Sequence, residues 1–500
     1  MGSLFCVLLL QIVSYLSNVI NNDKYEAVIG LEIHAQLLTK SKLFSGDNAA
    51  FGGSPNTNVS PISLAHPGTL PKMNKKVIEY AIKLGLALHC DIEHNNYFAR
   101  KNYFYPDLPK GYQISQHTTP ICKNGYVTIN ANNVEKNVLL NRIHIEEDAG
   151  KSLHDEDENY TCIDLNRAGV PLLEIVSEPD MHTAEEAFAY VTEIRKLVRF
   201  LEICDGNMEE GSLRCDANIS IRLKGEKQLG TKVEVKNLNS IRNVKKAIEY
   251  EIERLQELSE NNEQIIQQTR SFNAETGTTF SLRTKEEAND YRYFADPDLT
   301  PFVITDEFLR SIKGTLPALA KELESKYQQQ FGLSAYDAKV LSEDKFTADF
   351  FEAIIQHTKN YKAAANWLLG PVKSHLNETN INISAFALPA KTIASLIKLV
   401  EDGKVNFSIA ASKIFSALLS QPEKEPLQVA TELNLLQESN NDEVTLWVDE
   451  VINKMPDKVN EYKKGKKALI GLFAGEVKKL SKGKADMQVV NKLLTEKLNK

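Results

Sequence analysis

The chain has 500 residues, of which 42% are hydrophobic and 25% charged, with 24 Gly and 17 Pro. These proportions exclude a collagen-like or intrinsically disordered protein, and the length predicts two to four domains. The net charge of −8 is uneven, because residues 454–500 hold 13 Lys and five Asp or Glu, which leaves −16 for the rest. An acidic body with a basic end fits a nucleic-acid partner, although a Lys-rich solvated helix surface would give the same balance.

The cysteines are scattered and include no C-x-x-C pair. They are Cys6, Cys90, Cys122, Cys162, Cys204 and Cys215. A structural zinc site needs closely paired cysteines and a disulfide framework needs many of them. The spacing therefore predicts reduced thiols in a cytoplasmic protein.

The chain begins with a hydrophobic run, Leu4 to Ile20, that contains no charged residue. It lacks the basic segment and small-residue cleavage site of a secretory signal, and also the positive flank of a membrane-spanning helix. We expect residues 1–24 to be an appended extension without a targeting role. A true anchor or signal is the alternative.

The first predicted strand, GLEIHAQL at residues 30–37, alternates between apolar and polar side chains. Ile33, Ala35 and Leu37 fall on one face, and Glu32, His34 and Gln36 on the other. Three later segments repeat the pattern: RIHIEEDAG (His144 and Glu146, with Glu147 at the strand end), SLRCDANISIRL (Arg214, Asp216, Asn218, Ser220) and TKVEVKNLNS (Lys232, Glu234, Lys236). One such strand is usually the solvated face of an antiparallel sheet, but four of them rich in potential ligands favour a site.

Two helices are predicted between these strands. The first follows the capping residue Asn74, and the second follows a T-x-x-E capping box formed by Thr183 and Glu186. The second helix should bury one stripe and end before Gly206: Phe188, Val191, Ile194, Val198 and Leu201.

The acidic positions on the polar strands predict a metal site. Two carboxylates about 4 Å apart repel by about 4 kcal/mol at an effective dielectric constant of 20, and a divalent cation removes this penalty. We expect Mg²⁺, with Mn²⁺ also suited, at Glu32, His34, Glu147 and Glu234. A lone strand histidine such as His34 could instead be a hydrogen-bonded spectator.

Two loop segments are suited to an anionic substrate such as a nucleoside triphosphate. RKNYFYPDLPKGYQISQ carries Arg100, Lys101 and Lys110 among aromatic residues, and DLNRAGVPLLEIVSEPD adds Asn166, Arg167, Glu174 and Glu178. The phosphate-binding G-x-x-x-x-G-K-[ST] motif is absent, because EDAGKS would need glycine in place of Ile145. ATP would therefore bind on a less common fold.

The strand pattern stops near residue 304, and the remaining chain reads as helical. The fold class is therefore α+β, with a catalytic cradle of mixed or antiparallel sheet at 25–304, a helical domain at 305–425 and a helical tail at 426–500.

Eight segments occur in a familiar order: AVIGLEIHAQL, HPGTLPKMNK, RKNYFYPDLPKGYQISQ, RIHIEEDAGKS, DLNRAGVPLLEIVSEPD, MEEGSLRCDANISIR, EVKNLNS and DYRYFADPDL. Together they resemble the GatB family, the B subunits of aspartyl/glutamyl-tRNA amidotransferases. The end, YKKGKKALIGLFAGEVKKLSKGKAD, is similar to that family's YqeY-like tail. The resemblance runs from about Tyr25 to the C-terminus.

The resemblance implies a ligase that acts on tRNA(Gln) or tRNA(Asn) mischarged with Glu or Asp. The side-chain carboxylate takes the γ-phosphate of ATP, and ammonia then displaces phosphate. The implied partners are the A subunit, an amidase that supplies ammonia from glutamine, and the small C subunit, which completes the heterotrimer. Mg²⁺ is the implied cofactor.

Site residues follow from the matching motifs. Glu147, Glu32 and His34 are the catalytic candidates, and these with Glu234 are the metal candidates. The ATP and aminoacyl end would be lined by Lys101, Tyr103, Asn166, Arg167, Ser212, Arg214, Asp216, Asn218 and Lys236. The tRNA backbone would meet Lys463, Lys464, Lys466, Lys467, Lys482 and Lys484, which could also form an ordinary helix surface.

Some family members hold zinc with a C-x-C and a C-x-x-C pair. The matching places here read SGD (Ser45 to Asp47) and SPIS (Ser60 to Ser63), so we expect no structural zinc.

Two other functions fit parts of the pattern: a free-standing ATP-dependent ligase for a small acid, and a non-catalytic tRNA-binding scaffold.

Overall fold

The computed structural model describes residues 24–499 except 155–158, 285–290, 437–440, 482–483 and 486. The predicted N-terminal extension lies outside these residues apart from Lys24. The chain divides into two compact units after Pro317. The division of the helical part at 425/426 stays a prediction.

The first unit contains all the strands that define the sheets. They are β1 Tyr25–Gln36, β2 Asp91–Ile92, β3 Asn95–Asn96, β4 Ala99–Asn102, β5 Tyr112–Ser115, β6 Cys122–Lys123, β7 Tyr126–Ala131, β8 Val134–Glu147, β9 Lys151–Leu153, β10 Cys162–Asp164, β11 Pro171–Ser177, β12 Leu213–Leu223, β13 Val233–Lys236, β14 Gln268–Asn273, β15 Thr278–Thr284, β16 Tyr293–Ala295 and β17 Phe302–Val303. Its helices are α1 Lys75–Ala87, α2 Ala184–Phe200, α3 Ile241–Glu260 and α4 Asp306–Lys313.

The main sheet has the order β15-β14-β13-β12-β1-β11-β8-β6-β2, and β7 also pairs with β8. The β13–β14 pair is parallel, whereas β1 pairs antiparallel with both β11 and β12. The predicted mixed sheet is therefore confirmed. A smaller sheet, β16-β4-β5, carries the aromatic segment around Lys101.

The apolar side of the main sheet forms the core of the first unit. Ile33, Ala217 and Val235 on adjacent strands are all fully buried. Helices α2 and α3 pack against each other, and they also contact β7 and β12 respectively. With helices on this side, the sheet leaves its opposite side for the polar residues of the four predicted strands.

Both predicted helices form at the expected positions, with one correction. Asn74 caps α1 through its side chain, and Thr183 caps α2 by accepting from the amide of Glu186. The buried stripe of α2 includes Val191, Ile194 and Val198, but Phe188 is 40% exposed and Tyr190 is fully buried in its place. At 100° per residue, Phe188 lies at the margin of the stripe that faces the sheet.

The second unit is built from helices, as predicted. They are α5 Ala320–Gln329, α6 Ala335–Ser342, α7 Lys345–Ile355, α8 Tyr361–Trp367, α9 Lys373–Thr379, α10 Ala390–Glu401, α11 Phe407–Ile409, α12 Phe415–Ser420, α13 Pro426–Glu432, α14 Asn441–Lys454, α15 Pro456–Lys463, α16 Ile470–Leu480 and α17 Met487–Leu498. Helices α14–α17 share a hydrophobic core that includes Val448, Phe473 and Leu494. No helix in the described ranges is long and apolar enough to cross a membrane.

Candidate functional site

The polar side of the main sheet, here termed the cradle face, brings the four predicted strands together. β11 lies between β1 and β8, so that Glu174 is directly opposite His34 on one side and His144 on the other. On β12, Asp216 is opposite Glu32, and Asn218 is opposite Glu234 of β13. Residues directly opposite in a ladder point to the same side, so the register alone gathers these groups.

A compact cluster of His34, Glu146 and Glu174 occupies one part of this face. One ligand atom from each residue lies within 4.8 Å of the other two. His34 Nε2 is 3.4 Å from a Glu174 oxygen and 3.8 Å from a Glu146 oxygen. Glu146 and Glu174 are buried, so their two charges cannot be screened by water.

His144 is on β8 two residues before Glu146, and its ring lies close to both carboxylates of the cluster. Its Nε2 is 3.2 Å from Glu174 and 3.5 Å from Glu146. Burial would lower the pKa of His144, but the charges of Glu174 and Glu146 raise it to about 9. Burial would likewise raise the pKa of Glu174, yet His144 and His34 hold it well below its usual range. The two imidazoles therefore favour the ionised form of Glu174.

The donor set fits a divalent cation. Two carboxylates and one imidazole suit Mg²⁺ or Mn²⁺, and the cation would replace part of the positive charge that the histidines supply. A buried ring nitrogen, His144 Nδ1, has no hydrogen-bond partner among the described residues. A cation bound by the cluster would attract anionic substrates to this part of the face.

The predicted metal residues are not all brought to this cluster. Glu147 points to the other side of β8, where its carboxylate pairs with Lys110 and accepts from the amide of Ile114 at 2.8 Å. Glu234 instead meets Lys236 at 3.0 Å and Thr269 at 2.9 Å. The geometry favours Glu146 and Glu174 as partners of His34, and metal binding by Glu32, His34, Glu147 and Glu234 together stays a prediction.

Sequence reasoning named Glu174 only within the segment suited to an anionic substrate and left it out of the metal set, although it is the single acid of the otherwise apolar strand PLLEIVS. A single acid in an apolar strand could have indicated a functional residue, because a buried carboxylate needs a partner. Glu146 was noticed on the polar face, but Glu147 was chosen over it.

Other predicted residues of the ATP and aminoacyl end lie on or beside the cradle face. Lys236 pairs with Asp216 at 2.7 Å, and Asn218 donates to Glu32 at 2.9 Å. Arg214 and Arg167 flank the buried carboxylate of Asp148, at 3.0 and 3.7 Å.

Lys101 lies over the rings of Tyr291 and Tyr103, at 4.9 and 5.6 Å from their centroids. Burial opposes its charge, but Glu146 and Glu174 raise the pKa of Lys101. Lys101 is therefore a charged group close to the acidic cluster.

Two predicted residues stabilise loops instead. Asn166 donates to the carbonyl of Ser54 at 2.6 Å and accepts from the amide of Asn58. Ser212 donates to Asp205 at 3.3 Å. A third predicted residue, Tyr103, donates its hydroxyl to the side-chain oxygen of Gln113 at 3.3 Å. The side-chain nitrogen of Gln113 in turn donates to the carbonyl of Glu147.

The predicted tRNA lysines lie in the tail, and Lys482 is outside the described residues. Lys463 and Lys464 are exposed at the end of α15. Lys466 instead pairs with Glu461 at 3.0 Å, and Lys467 donates to Asn499 and lies over the ring of Tyr462. Lys484 is half-buried.

The positions compared with zinc cysteines form a hydrogen-bonded group, here termed the Asp47 clasp. The carboxylate of Asp47 accepts from the amide of Ser60 at 2.9 Å and from the hydroxyl of Ser63. Ser63 also lies 3.1 Å from the hydroxyl of Ser45. The clasp lies beside a cavity of about 270 Å³ that Lys42, Lys110 and Glu147 also line.

Comparison with known families gives two matches along the chain. Residues 27–310 match the GatB/GatE catalytic domain, and residues 349–498 match the GatB domain that carries the YqeY name. Together these matches cover most of both units.

Curated relatives are similar over nearly the whole chain. A protein from Thermoanaerobacter sp. (strain X514) is 47% identical over 477 residues, which is 95% of this chain and 100% of the relative. A protein from Bdellovibrio bacteriovorus is 48% identical over 475 residues, 95% of this chain and 99% of the relative. Both relatives are named as the B subunit of an aspartyl/glutamyl-tRNA(Asn/Gln) amidotransferase.

Proposed function

The chain belongs to the GatB family, and from this membership we infer that it is the B subunit of a glutamine-dependent aminoacyl-tRNA amidotransferase. It amidates Glu-tRNA(Gln) or Asp-tRNA(Asn) with ATP and with ammonia from the amidase (A) subunit, in a heterotrimer that the C subunit completes. The enzyme is a carbon–nitrogen ligase of translation.

The cluster of His34, Glu146 and Glu174 is the observation that carries the assignment of the phosphorylation site. A carboxylate is a poor acyl donor, because ammonia would have to displace oxide, so the side chain of the charged amino acid is first converted to an acyl phosphate. A divalent cation held by the cluster would reduce the repulsion between this carboxylate and the triphosphate. Mg²⁺ is the proposed cation.

Three cationic side chains support the same assignment. Lys101 lies close to Glu146 and Glu174, and Arg214 is directly opposite His34 in the ladder. Lys236 is bound to Asp216 one strand further along. These groups would hold the phosphates in place by charge, which is the main contribution a protein makes to phosphoryl transfer.

The assignment is tested by reconstituting the chain with its A and C partners. Glu-tRNA(Gln) and Asp-tRNA(Asn) are supplied separately with ATP, Mg²⁺ and glutamine, and Gln-tRNA or Asn-tRNA is measured. We expect amidation of at least one substrate, and the comparison shows which amino acid is used. No product from either substrate would contradict the function.

The Glu146→Gln variant tests the site within that complex. We expect amidation to fall by at least about 100-fold, since the change removes an anionic ligand, whereas binding of the charged tRNA is retained. Unchanged amidation would contradict the site, and equal loss of tRNA binding would favour a purely structural role.

A further inference from the structure

The ammonium of Lys101 lies between two tyrosine rings. Its Nζ is 4.9 Å from the ring centroid of Tyr291 and 5.6 Å from that of Tyr103. The two rings meet edge to face, with their centroids 5.7 Å apart. A cation is attracted to the face of an aromatic ring only while the ring stays in place. The position of this ammonium therefore depends on what holds Tyr291 and Tyr103.

Tyr291 belongs to a short segment at the edge of the smaller sheet. The strand that follows it, β16, has three residues and pairs with β4, which separates it from β5. A strand with so few ladder hydrogen bonds opens readily unless other contacts hold it. One such contact is at the first end of the strand, where the side chain of Asn102 on β4 donates to the carbonyl of Arg292 at 2.5 Å.

At the other end of the strand, Asp296 binds Arg100 of β4. The side chain of Asp296 is fully buried, and its two oxygens lie 2.9 Å from Nε and 3.5 Å from Nη2 of Arg100. The amide of Asp296 donates to the carbonyl of Phe98 at 2.9 Å, and its carboxylate accepts from the amide of Asp298 at 2.8 Å. A guanidinium group fixes the direction of a carboxylate as well as its distance. The ion pair thus fastens the end of β16 to β4.

This ion pair and Lys101 lie on opposite sides of the smaller sheet. In the ladder between β4 and β16, Lys101 is opposite Tyr293. The preceding residue, Arg100, is opposite Phe294. Successive residues of a strand point to opposite sides, so Arg100 points away from the side that carries Lys101. Any effect of the ion pair on Lys101 must therefore pass through the two strands.

We propose that Asp296 is a positioning residue, which acts through Arg100 to hold β16 against β4. It thereby keeps the ring of Tyr291 beside the ammonium of Lys101. This inference rests on the proposed function, in which Lys101 holds the phosphates in place by charge. Without the ion pair, β16 would open more often and the ammonium would leave its place near the cradle face. Phosphoryl transfer would slow, whereas charged tRNA would still bind.

The test measures amidation in the complete complex with the A and C partners, with the charged tRNA that the wild type uses. In Asp296→Asn, kcat should fall by about 10- to 100-fold, the loss expected when a group that acts on the transition state is slightly misplaced. KM for the charged tRNA should stay within about twofold. Asp298→Asn is the matched control: Asp298 also binds Arg100, at 2.8 Å, but its side chain is 38% exposed. Its kcat should stay within about twofold of the wild type.

A double variant separates positioning from a general contribution to folding. Lys101→Met removes the ammonium, so in that background Asp296→Asn should change kcat by less than about twofold. Amide hydrogen exchange of residues 293–296 should accelerate by about tenfold in Asp296→Asn and stay unchanged in Lys101→Met. Should Asp296→Asn fail to fold, Arg100→Lys tests the same connection, because it keeps a cation beside Asp296 but loses the planar fork. Its kcat should also fall, again without a change in KM for the charged tRNA.

Several results would overturn the proposal. An unchanged kcat in both Asp296→Asn and Arg100→Lys would do so while the proposed function stands. So would an equal fold loss with and without the ammonium of Lys101, since that result indicates a general contribution to folding. A raised KM for charged tRNA with an unchanged kcat would assign the segment to tRNA binding instead. Unchanged amidation in Lys101→Met would overturn the role of Lys101 in the proposed function, and this inference with it.

Discussion

Glu146 and Glu147 are adjacent in sequence, but their carboxylates lie on opposite sides of β8. Glu146 faces His34 and His144, whereas Glu147 is bound by Lys110 and the amide of Ile114. Successive residues of a strand point to opposite sides, so at the end of β8 a shift of one residue decides which carboxylate reaches the cluster. These two glutamates therefore provide a sharp comparison.

Metal affinity should distinguish the two glutamates. We expect Glu146→Gln to weaken Mn²⁺ binding by more than about tenfold, because it removes an anionic ligand, and Glu147→Gln to leave it within about twofold. Calorimetric titration with Mn²⁺ measures both constants. The reverse order would support the set predicted from sequence, with Glu147 as a ligand.

Lys42 provides a prediction for stability. Its side chain is fully buried, with one hydrogen bond to the carbonyl of Leu165 at 3.3 Å, and burial lowers its pKa from 10.5 to about 8. Because the unfolded chain holds the proton more tightly, the free energy of unfolding should rise as pH increases from 8 to 10.5. Below pH 8 both states are protonated, and the destabilisation is constant at about 3 kcal/mol.

The Lys42→Met variant should therefore be more stable than the wild type at pH 7, by roughly 1–3 kcal/mol, and should lack the rise above pH 8. Urea denaturation followed by circular dichroism at several pH values measures both effects. A destabilised variant at pH 7 would show that the ammonium makes a favourable interaction that outweighs its burial.

At the scale of elements, the segment between β1 and α1 needs its own explanation. Residues 37–74 contain no strand or helix, and their backbone pairing includes an isolated bridge between Ser41 and Asn48. A long irregular segment in a compact unit is usually functional, and it needs side-chain contacts to hold it. The Asp47 clasp joins the two parts of this segment that line the cavity beside Glu147.

Removing the carboxylate should loosen this segment. In Asp47→Ala, we expect amide hydrogen exchange of residues 45–63 to accelerate by about tenfold, as expected for loss of hydrogen bonds to a charged group, with little change in α3. Asp47→Asn, which keeps an acceptor oxygen, should show a smaller effect. Exchange is measured by mass spectrometry.

Hydrogen exchange, together with elemental analysis, also tests the expectation that the chain holds no structural zinc. Elemental analysis should find no stoichiometric zinc, and a chelator should leave the exchange of residues 45–63 unchanged. A chelator that reproduces the effect of Asp47→Ala would show that a metal, and not hydrogen bonds alone, holds the segment.

At the scale of the whole molecule, the acidic body and the basic tail differ in net charge. The balance of charge in residues 454–500 is +8, and the exposed end of α15 carries Lys463 and Lys464. Contacts to phosphates depend on salt, because binding releases counterions. The tail is thus expected to raise affinity for tRNA without affecting the chemistry on the cradle face.

The double variant Lys463→Ala/Lys464→Ala should raise KM for charged tRNA and leave kcat unchanged. The slope of log affinity against log salt should decrease by about one for each phosphate that is no longer bound. As a control, Lys466→Ala should have a smaller effect, since Lys466 already pairs with Glu461. An unchanged salt slope in the double variant would indicate an ordinary solvated helix surface.

The amino-acid sequence determined the α+β class, the helical second part and the polar faces of four strands, because alternation and capping residues are local signals. The capped starts of α1 and α2 follow from Asn74 and Thr183. The ordered motifs also identified the GatB family, and thereby the reaction and its partners.

The tertiary structure decided which side chains meet. β11 lies between β1 and β8, and this order places Glu174 between His34 and His144, which are 110 positions apart in the chain. It also leaves Glu32 beside Asn218 and directs Glu147 towards Lys110. The periodicity of each strand fixes the side on which a residue lies, but only the pairing and register of strands distant in sequence determine its neighbours.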